Sequence, residues 1–257
     1  MSRSMHCVPL FAGLAALAVA TSSVAAGEDR PAVIQSLEKQ GVTIVEEFPA
    51  GSGLRGFGGV AEQKPLAVYV TPDGNAVIGV RVAADGRALD DQRLQNLVAK
   101  PMSAGIWSNL AASTWVQDGK ESAPRTVYVF TDPNCPYCNR FFEAARPWVD
   151  SGKVQLRHIL VGVIKADSSA KAAAILGAKD KTAALFQNER NFSKGGIEPV
   201  ASVPDNLKRT IDTNTALMGA LGFRGTPGIV YEDEQGLIQK INGMPLQAAL
   251  AKVLGPR

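Results

Sequence analysis

The sequence predicts two folding units in series, an α+β segment followed by an α/β domain, and three observations carry the prediction. In the first half, the apolar runs Leu66 to Val70 and Ala76 to Val82 are joined by Thr71-Pro72-Asp73-Gly74-Asn75, whose Pro-Asp-Gly order signals a hairpin turn. In the second half, Thr126-Val127-Tyr128-Val129-Phe130 is an unbroken β-branched and aromatic run, the pattern of a strand buried on both faces. It hands over to Asn139 through Val149, where Phe141, Phe142, Ala145 and Trp148 recur at helical spacing. Between the halves, Gly119 to Pro124 (GKESAP) is polar and turn-rich and marks a boundary. The chain has 257 residues, 46% hydrophobic and 20% charged, enough to build two ordinary cores. That composition excludes wholesale disorder, a collagen-like repeat and a multi-pass membrane protein. A net charge of +3 and 6% aromatic residues give no reason to expect a nucleic-acid or membrane-surface partner.

At the N-terminus, Leu10 to Ala20 is an uncharged apolar run that follows Arg3. It is shorter than the about 20 residues a membrane-spanning helix needs, and Ser23-Val24-Ala25-Ala26 supplies small residues where a leader is cut. Residues 1–26 therefore read as a secretory signal peptide, which implies export and no stable membrane insertion. Cys7 precedes the apolar run and leaves with it. After the hairpin of the first unit, Asp90 or Asp91 is placed to cap a helix with Leu94, Leu97 and Val98 on one face. Pro101 interrupts that helix, and Ile106, Leu110 and Trp115 carry a second apolar stretch, so this region reads as a linker.

Of the 3 cysteines in the sequence, the two left after the leader stand in one motif, Cys135-Pro136-Tyr137-Cys138. The pair sits where the buried strand meets a helix N-terminus. There, unpaired backbone N–H groups and the helix dipole favour a thiolate, so Cys135 is expected to have a lowered pKa. Cys138 lies one turn deeper and is less exposed to that field. Cys135 then attacks or is attacked, and Cys138 resolves the mixed disulfide. A structural zinc site would need four ligands, and only His158 remains as a further nitrogen or sulfur donor. An inert disulfide at this spacing would close too small a loop to gain much entropy.

Gly225-Thr226-Pro227-Gly228 offers the second element such chemistry requires, a proline loop that faces the sulfurs. A cis Thr226–Pro227 bond is accessible because proline removes most of the trans preference, and the Thr226 backbone is then free to pair with an extended substrate chain. An ordinary turn proline is the alternative. The loop is followed by the strand Ile229-Val230-Tyr231, with Gly236 to Ile241 as its hairpin partner.

Other motifs carry no site. Gly51-Ser52-Gly53-Leu54-Arg55-Gly56 fits G-x-G-x-x-G, but Pro49 separates it from the preceding strand and Phe57-Gly58-Gly59 stands where a helix should begin. It reads as a flexible loop. Lys165 to Ala184, rich in alanine and lysine, reads as a solvated helix, and lone His158 receives no role.

These residues resemble the DsbC/DsbG family of thioredoxin-fold disulfide isomerases of the bacterial periplasm. The likeness extends through nearly all of residues 27–257. It is dense at Thr126 to Phe130, Asp132-Pro133, Cys135 to Cys138, Arg146 to Leu156 and Leu160 to Lys165. It favours the DsbG side of the family, since the DsbC side carries a different dipeptide between the cysteines and usually a second disulfide. The resemblance implies a cystatin-like α+β dimerisation domain at 27–88, a linker helix at 89–121 and an α/β thioredoxin-like catalytic domain with a helical insertion at 122–257. It also implies a V-shaped homodimer whose active sites face a shared cleft. The activity implied is that of a protein-disulfide isomerase and reductase acting on client proteins with wrong disulfides or sulfenylated cysteines, with chaperone activity and no cofactor. Cys135 and Cys138 would be catalytic, Pro136 and Tyr137 would tune the redox poise, and Thr226 and Pro227 would bind substrate. A membrane electron donor of the DsbD kind would keep the pair reduced. A dithiol oxidase, or a holdase chaperone without essential redox chemistry, uses the same elements differently.

Charge divides unevenly along the chain. Residues 27–122 hold 9 basic and 12 acidic residues, and residues 123–257 hold 17 and 12. The acidic half reads as a solvated surface, with selection of clients at the cleft as the sharper alternative.

Overall fold

The computed structural model describes residues 30–256, so the leader and Cys7 lie outside the described residues. The first unit begins with α1 (Ala32–Lys39). Four antiparallel strands follow in sequential order: β1 (Thr43–Gly51), β2 (Leu54–Ala61), β3 (Lys64–Val70) and β4 (Ala76–Ile78). Ile34 of α1 is fully buried against Phe57, Val68 and Val70. The segment from Gly51 to Gly56 is no flexible loop. Gly51 pairs with Leu54, and Ser52 and Gly53 both adopt positive φ, 54° and 74°, which makes a tight two-residue hairpin turn.

The strand expected over 76–82 stops at Ile78. Beyond it, the Arg81 guanidinium turns inward to the Asp90 carboxylate (2.8 and 3.1 Å) and to the Ala50 carbonyl, drawing the chain off the sheet edge. Asp90 holds the N-cap position of the next helix, yet its side chain makes no capping bond. It accepts instead from the Tyr69 hydroxyl and from Arg81.

Pro101 does not interrupt the helix that follows. α2 (Asp91–Leu94), a π-helical turn (Gln95–Ala99) and α3 (Lys100–Ala112) run on without a break. A proline lacks the N–H of an α-helical bond and crowds the carbonyl four residues earlier. The wider turn just before it, closed by Lys100 N–H donating to the Gln95 carbonyl, absorbs the misfit. This helix joins two cores. Leu94 and Leu97 pack on Phe48, Ala50, Ala67 and Tyr69 of the first sheet. Ile106, Trp107 and Leu110 pack on Tyr128, Phe130 and Ile159 of the second.

The second sheet contains β5 (Val116–Asp118), β6 (Arg125–Thr131), β7 (Val154–Leu160), β8 (Gly228–Glu232) and β9 (Ile238–Asn242), in the order β5-β7-β6-β8-β9. β6 and β7 are parallel and joined through α4 (Pro136–Val149); the other pairings are antiparallel. Alternate residues of β6 serve opposite faces. Val127 and Val129 meet Phe141, Ala145 and Trp148 of α4 and Leu250 and Val253 of the short C-terminal helix. Tyr128 and Phe130 meet Leu110, Met218 and Phe223. That two-sided burial is why the strand lacks any polar alternation.

Three helices, α5 (Ser168–Leu176), α6 (Lys181–Arg190) and α7 (Asp205–Ala220), lie between β7 and β8. In place of the single solvated helix expected over 165–184 stand a largely buried α5 and the start of α6. α5 buries Ser168, Lys171, Ala172, Ala173, Ile175 and Leu176, because its small residues let α6 and α7 close over it.

Gly119, in the turn from β5 to β6, has φ +100°, and a Cβ there would stand 2.7 Å from the Val154 carbonyl oxygen. Gly119→Ala should therefore lower stability by about 1–3 kcal/mol. Urea unfolding monitored by tryptophan fluorescence would show this as a lowered midpoint.

Candidate active site

β6 ends at Thr131, the chain turns through Asp132 to Asn134, and α4 begins at Pro136. Cys135 is thus the N-cap of α4, with extended backbone (φ −84°, ψ 114°), and proline at the first helical position forfeits no hydrogen bond. Cys138 N–H donates to Cys135 Sγ at 3.3 Å, so the sulfur occupies the place of a capping oxygen. Both cysteines are free thiols. Cys135 is only 2% exposed and Cys138 3%, whereas Tyr137 between them is 53% exposed, its ring 5.3 Å from the Arg140 guanidinium carbon.

Thr226 and Pro227, ninety residues further along, stand directly over this turn. Their peptide bond is cis, and the Cys135 thiol donates to the Thr226 carbonyl at 3.2 Å. The proline loop is itself tied down by Gly243 N–H donating to the Pro227 carbonyl at 2.8 Å. The Thr226 hydroxyl oxygen is buried with no partner.

Electrostatics separates the two sulfurs. Contact with the Cys138 side chain does most to draw the Cys135 thiol down to about 6, against the opposing effect of burial, and Thr226 with the backbone N–H groups of Cys138 and Tyr137 completes the shift. Burial pushes the Cys138 thiol well above its usual value, and the neighbouring Cys135 adds to that. One sulfur is a thiolate at neutral pH while the other keeps its proton.

What positions the cysteine turn escapes a sequence reading. Asp132 is 1% exposed, and its carboxylate accepts from Asn134 N–H, Ser168 hydroxyl, Val163 N–H and Ile164 N–H at 2.6 to 2.9 Å. It ties the turn to the loop after β7 and to α5. His158 is buried beneath the site, its Nδ1 2.9 Å from the Thr131 hydroxyl and its Nε2 3.4 Å from Asp118, which also holds Arg146 in a two-pronged ion pair. Among the described residues no cluster of acidic, cysteine or histidine side chains could hold a metal ion.

Residues 116–255 match the family described as a thioredoxin-like domain. The thiol:disulfide interchange protein DsbG of Pseudomonas aeruginosa is 42% identical to the chain over 233 residues, covering 90% of this chain and 91% of that protein. The protein of the same name from Escherichia coli is 39% identical over 234 residues, covering 91% and 94%. Among solved structures, the catalytic domain of Proteus mirabilis ScsC superimposes with a TM-score of 0.50 at 21% identity, over 59% of this chain and 93% of that one. That likeness extends to the fold alone.

Proposed function

Because the chain belongs to the DsbG family of thiol:disulfide interchange proteins, we propose that it works as an isomerase and reductase whose attacking group is Cys135. The observation that carries this reading is the geometry of the dithiol: Cys135 caps α4 under the cis Thr226–Pro227 loop with Cys138 one turn further in, an arrangement that lowers the Cys135 thiol and raises that of Cys138. The Cys135 thiolate attacks one sulfur of a client disulfide, forming a mixed disulfide and releasing the other client sulfur as a thiolate. In isomerisation a second client thiolate attacks the mixed disulfide and frees Cys135, with no net transfer of electrons. In reduction Cys138 gives up its proton and attacks Cys135, which releases the client as a thiol and leaves a Cys135–Cys138 disulfide. A sulfenylated client cysteine enters the same cycle: the Cys135 thiolate attacks its sulfur, the S–O bond breaks, and the departing hydroxide takes a proton from solvent to leave as water.

Thr226 and Pro227, whose loop stands over the Cys135 turn, form the surface on which the client backbone lies. Pro136 and Tyr137 set the start of α4 and so the thiolate's stability. We assign residues 1–26 as a signal peptide, 27–88 as the dimerisation domain, 89–121 as the linker and 122–257 as the catalytic domain, working in the periplasm as a V-shaped homodimer. The edge of the first sheet supports the dimer: Val77, Ile78, Val80 and Val82 on and beyond β4 are 52 to 68% exposed. A membrane electron donor of the DsbD kind restores the dithiol, and the cleft shared by the two protomers lends chaperone activity.

The lowered thiol also supports a second reading, because a stabilised thiolate favours the dithiol and makes the disulfide form an oxidant. The state of the pair in growing cells decides between them. Acid quenching followed by thiol alkylation should find Cys135 and Cys138 predominantly reduced; a predominantly oxidised pair would assign the protein as an oxidase.

A further inference from the structure

The Cys135–Cys138 turn is bracketed by two asparagines, and each is held by a buried ionisable side chain from the helices inserted between β7 and β8. Before the turn, the Asn134 side-chain oxygen accepts from Lys171 Nζ of α5 at 2.9 Å. Lys171 is 6% exposed, and its ammonium group also donates to the Gly195 carbonyl at 2.6 Å and lies 3.5 Å from the Asp167 carboxylate. After the turn, the Asn139 side-chain amide donates to both the carboxylate and the carbonyl of Glu189 of α6, each at 2.8 Å. Glu189 is 4% exposed, and its other carboxylate oxygen accepts from Asn188, which donates as well to the Pro133 carbonyl at 3.1 Å. Glu143 and His158 are the further titratable groups whose fields reach it.

Burying an ammonium and a carboxyl is costly, and apolar side chains of similar size would hold two helices to a loop at least as well. Here both groups are spent on the residues that flank the sulfurs. We propose that Lys171 and Glu189 are positioning residues for the dithiol: through Asn134 and Asn139 the inserted helices fix both ends of the cysteine turn and set the balance between dithiol and disulfide. Closing the disulfide must bring the sulfurs to about 2.05 Å, so a clamp on both flanks governs how readily the turn adopts the closed geometry. The sign of the charge adds to this. The Lys171 ammonium offsets the Asp167 carboxylate, which also accepts from the Asn134 amide at 2.9 Å. Without the ammonium that carboxylate would oppose a thiolate at Cys135, as the acidic group on the Cys138 side opposes a second one.

The inference rests on the reading of Cys135 as the attacking sulfur, and the test separates the two. The full chain is equilibrated in glutathione buffers and its dithiol fraction measured, the pH dependence of Cys135 alkylation is recorded, and thermal melting is followed in parallel. Lys171→Met should shift the equilibrium toward disulfide by about threefold and slow alkylation in mildly acidic buffer by a similar factor. Glu189→Gln, which keeps an oxygen for Asn139 and removes the ionisable group, should shift the equilibrium toward dithiol by about threefold without unfolding the protein. If Lys171→Met does not fold, Glu189→Gln decides alone. Variants that melt lower yet keep the parent's equilibrium and pH midpoint would overturn the clamp and leave Cys135 as the attacking sulfur. A parent protein whose Cys135 titrates like an ordinary thiol would overturn that reading, and the clamp with it.

Discussion

Cys138→Ala should stop reduction of client disulfides and accumulate the protein as covalent mixed disulfides through Cys135. The variant loses the Cys138 side-chain contact that does most to lower the Cys135 thiol, so attack should be slower at mildly acidic pH, but the helix start still favours the thiolate. Attack therefore proceeds while the intramolecular exit is closed. Turnover should fall by at least about 10³-fold, the usual scale for loss of a participating nucleophile. Isomerisation should be impaired less, because a client thiol is able to release Cys135. Cys135→Ser should abolish both activities and trap nothing. Non-reducing electrophoresis and mass spectrometry read the adducts, and a Cys138→Ala protein with no client attached through Cys135 would count decisively against the proposed order of attack.

The second large effect concerns stability. Asp118 is fully buried at the end of β5, where its carboxylate receives both arms of the Arg146 guanidinium and faces His158. Arg146 is in turn stacked on Phe142, its guanidinium carbon 3.8 Å from the ring centre. Asp118→Ala removes one partner of a buried pair and strands the other, which costs about 3–5 kcal/mol. Guanidinium unfolding should show a loss of that size; a loss below about 1 kcal/mol would mean that the pair is solvated. The pH dependence has a definite sign. Burial acts to raise the Asp118 pKa, but His158 and Arg146 outweigh it and hold it below the ordinary carboxylate value. A depressed carboxylate stabilises the folded state above its unfolded pKa and loses that contribution as pH falls through the folded value. The parent protein should thus lose stability in acid more steeply than Asp118→Ala does.

Much of the site was legible in the sequence because local rules and tertiary structure agree there. The unbroken apolar run of β6 reports burial on both faces, the spacing of Phe141, Phe142, Ala145 and Trp148 reports the inner face of α4, and the cysteines between them fall at a helix N-terminus by construction. Thr226 and Pro227 were recognisable only through their pairing with the cysteine motif. Elsewhere the deciding partner is distant in sequence. Alanines and lysines over 165–184 suit a solvent-facing helix equally well until α6 and α7 cover α5, and Lys171 is buried where the Asn134 oxygen and the Gly195 carbonyl accept its hydrogen bonds and the Asp167 carboxylate stands beside it. Asp132 likewise serves groups about thirty residues further on, at Val163, Ile164 and Ser168. The strand expected through Val82 ends early because Arg81 finds Asp90. In each case a polar contact made across the fold overrides the local pattern.

The proposed chemistry requires Cys135 to be a thiolate at neutral pH while Cys138 is not. Alkylation of the reduced protein by iodoacetamide, followed by peptide mass spectrometry across a pH series, measures this residue by residue. Modification of Cys135 should rise through a midpoint at about pH 6, with Cys138 unmodified throughout the neutral range. A Cys135 midpoint near the about 8.5 of an ordinary thiol, or equal modification of the two cysteines, would contradict it.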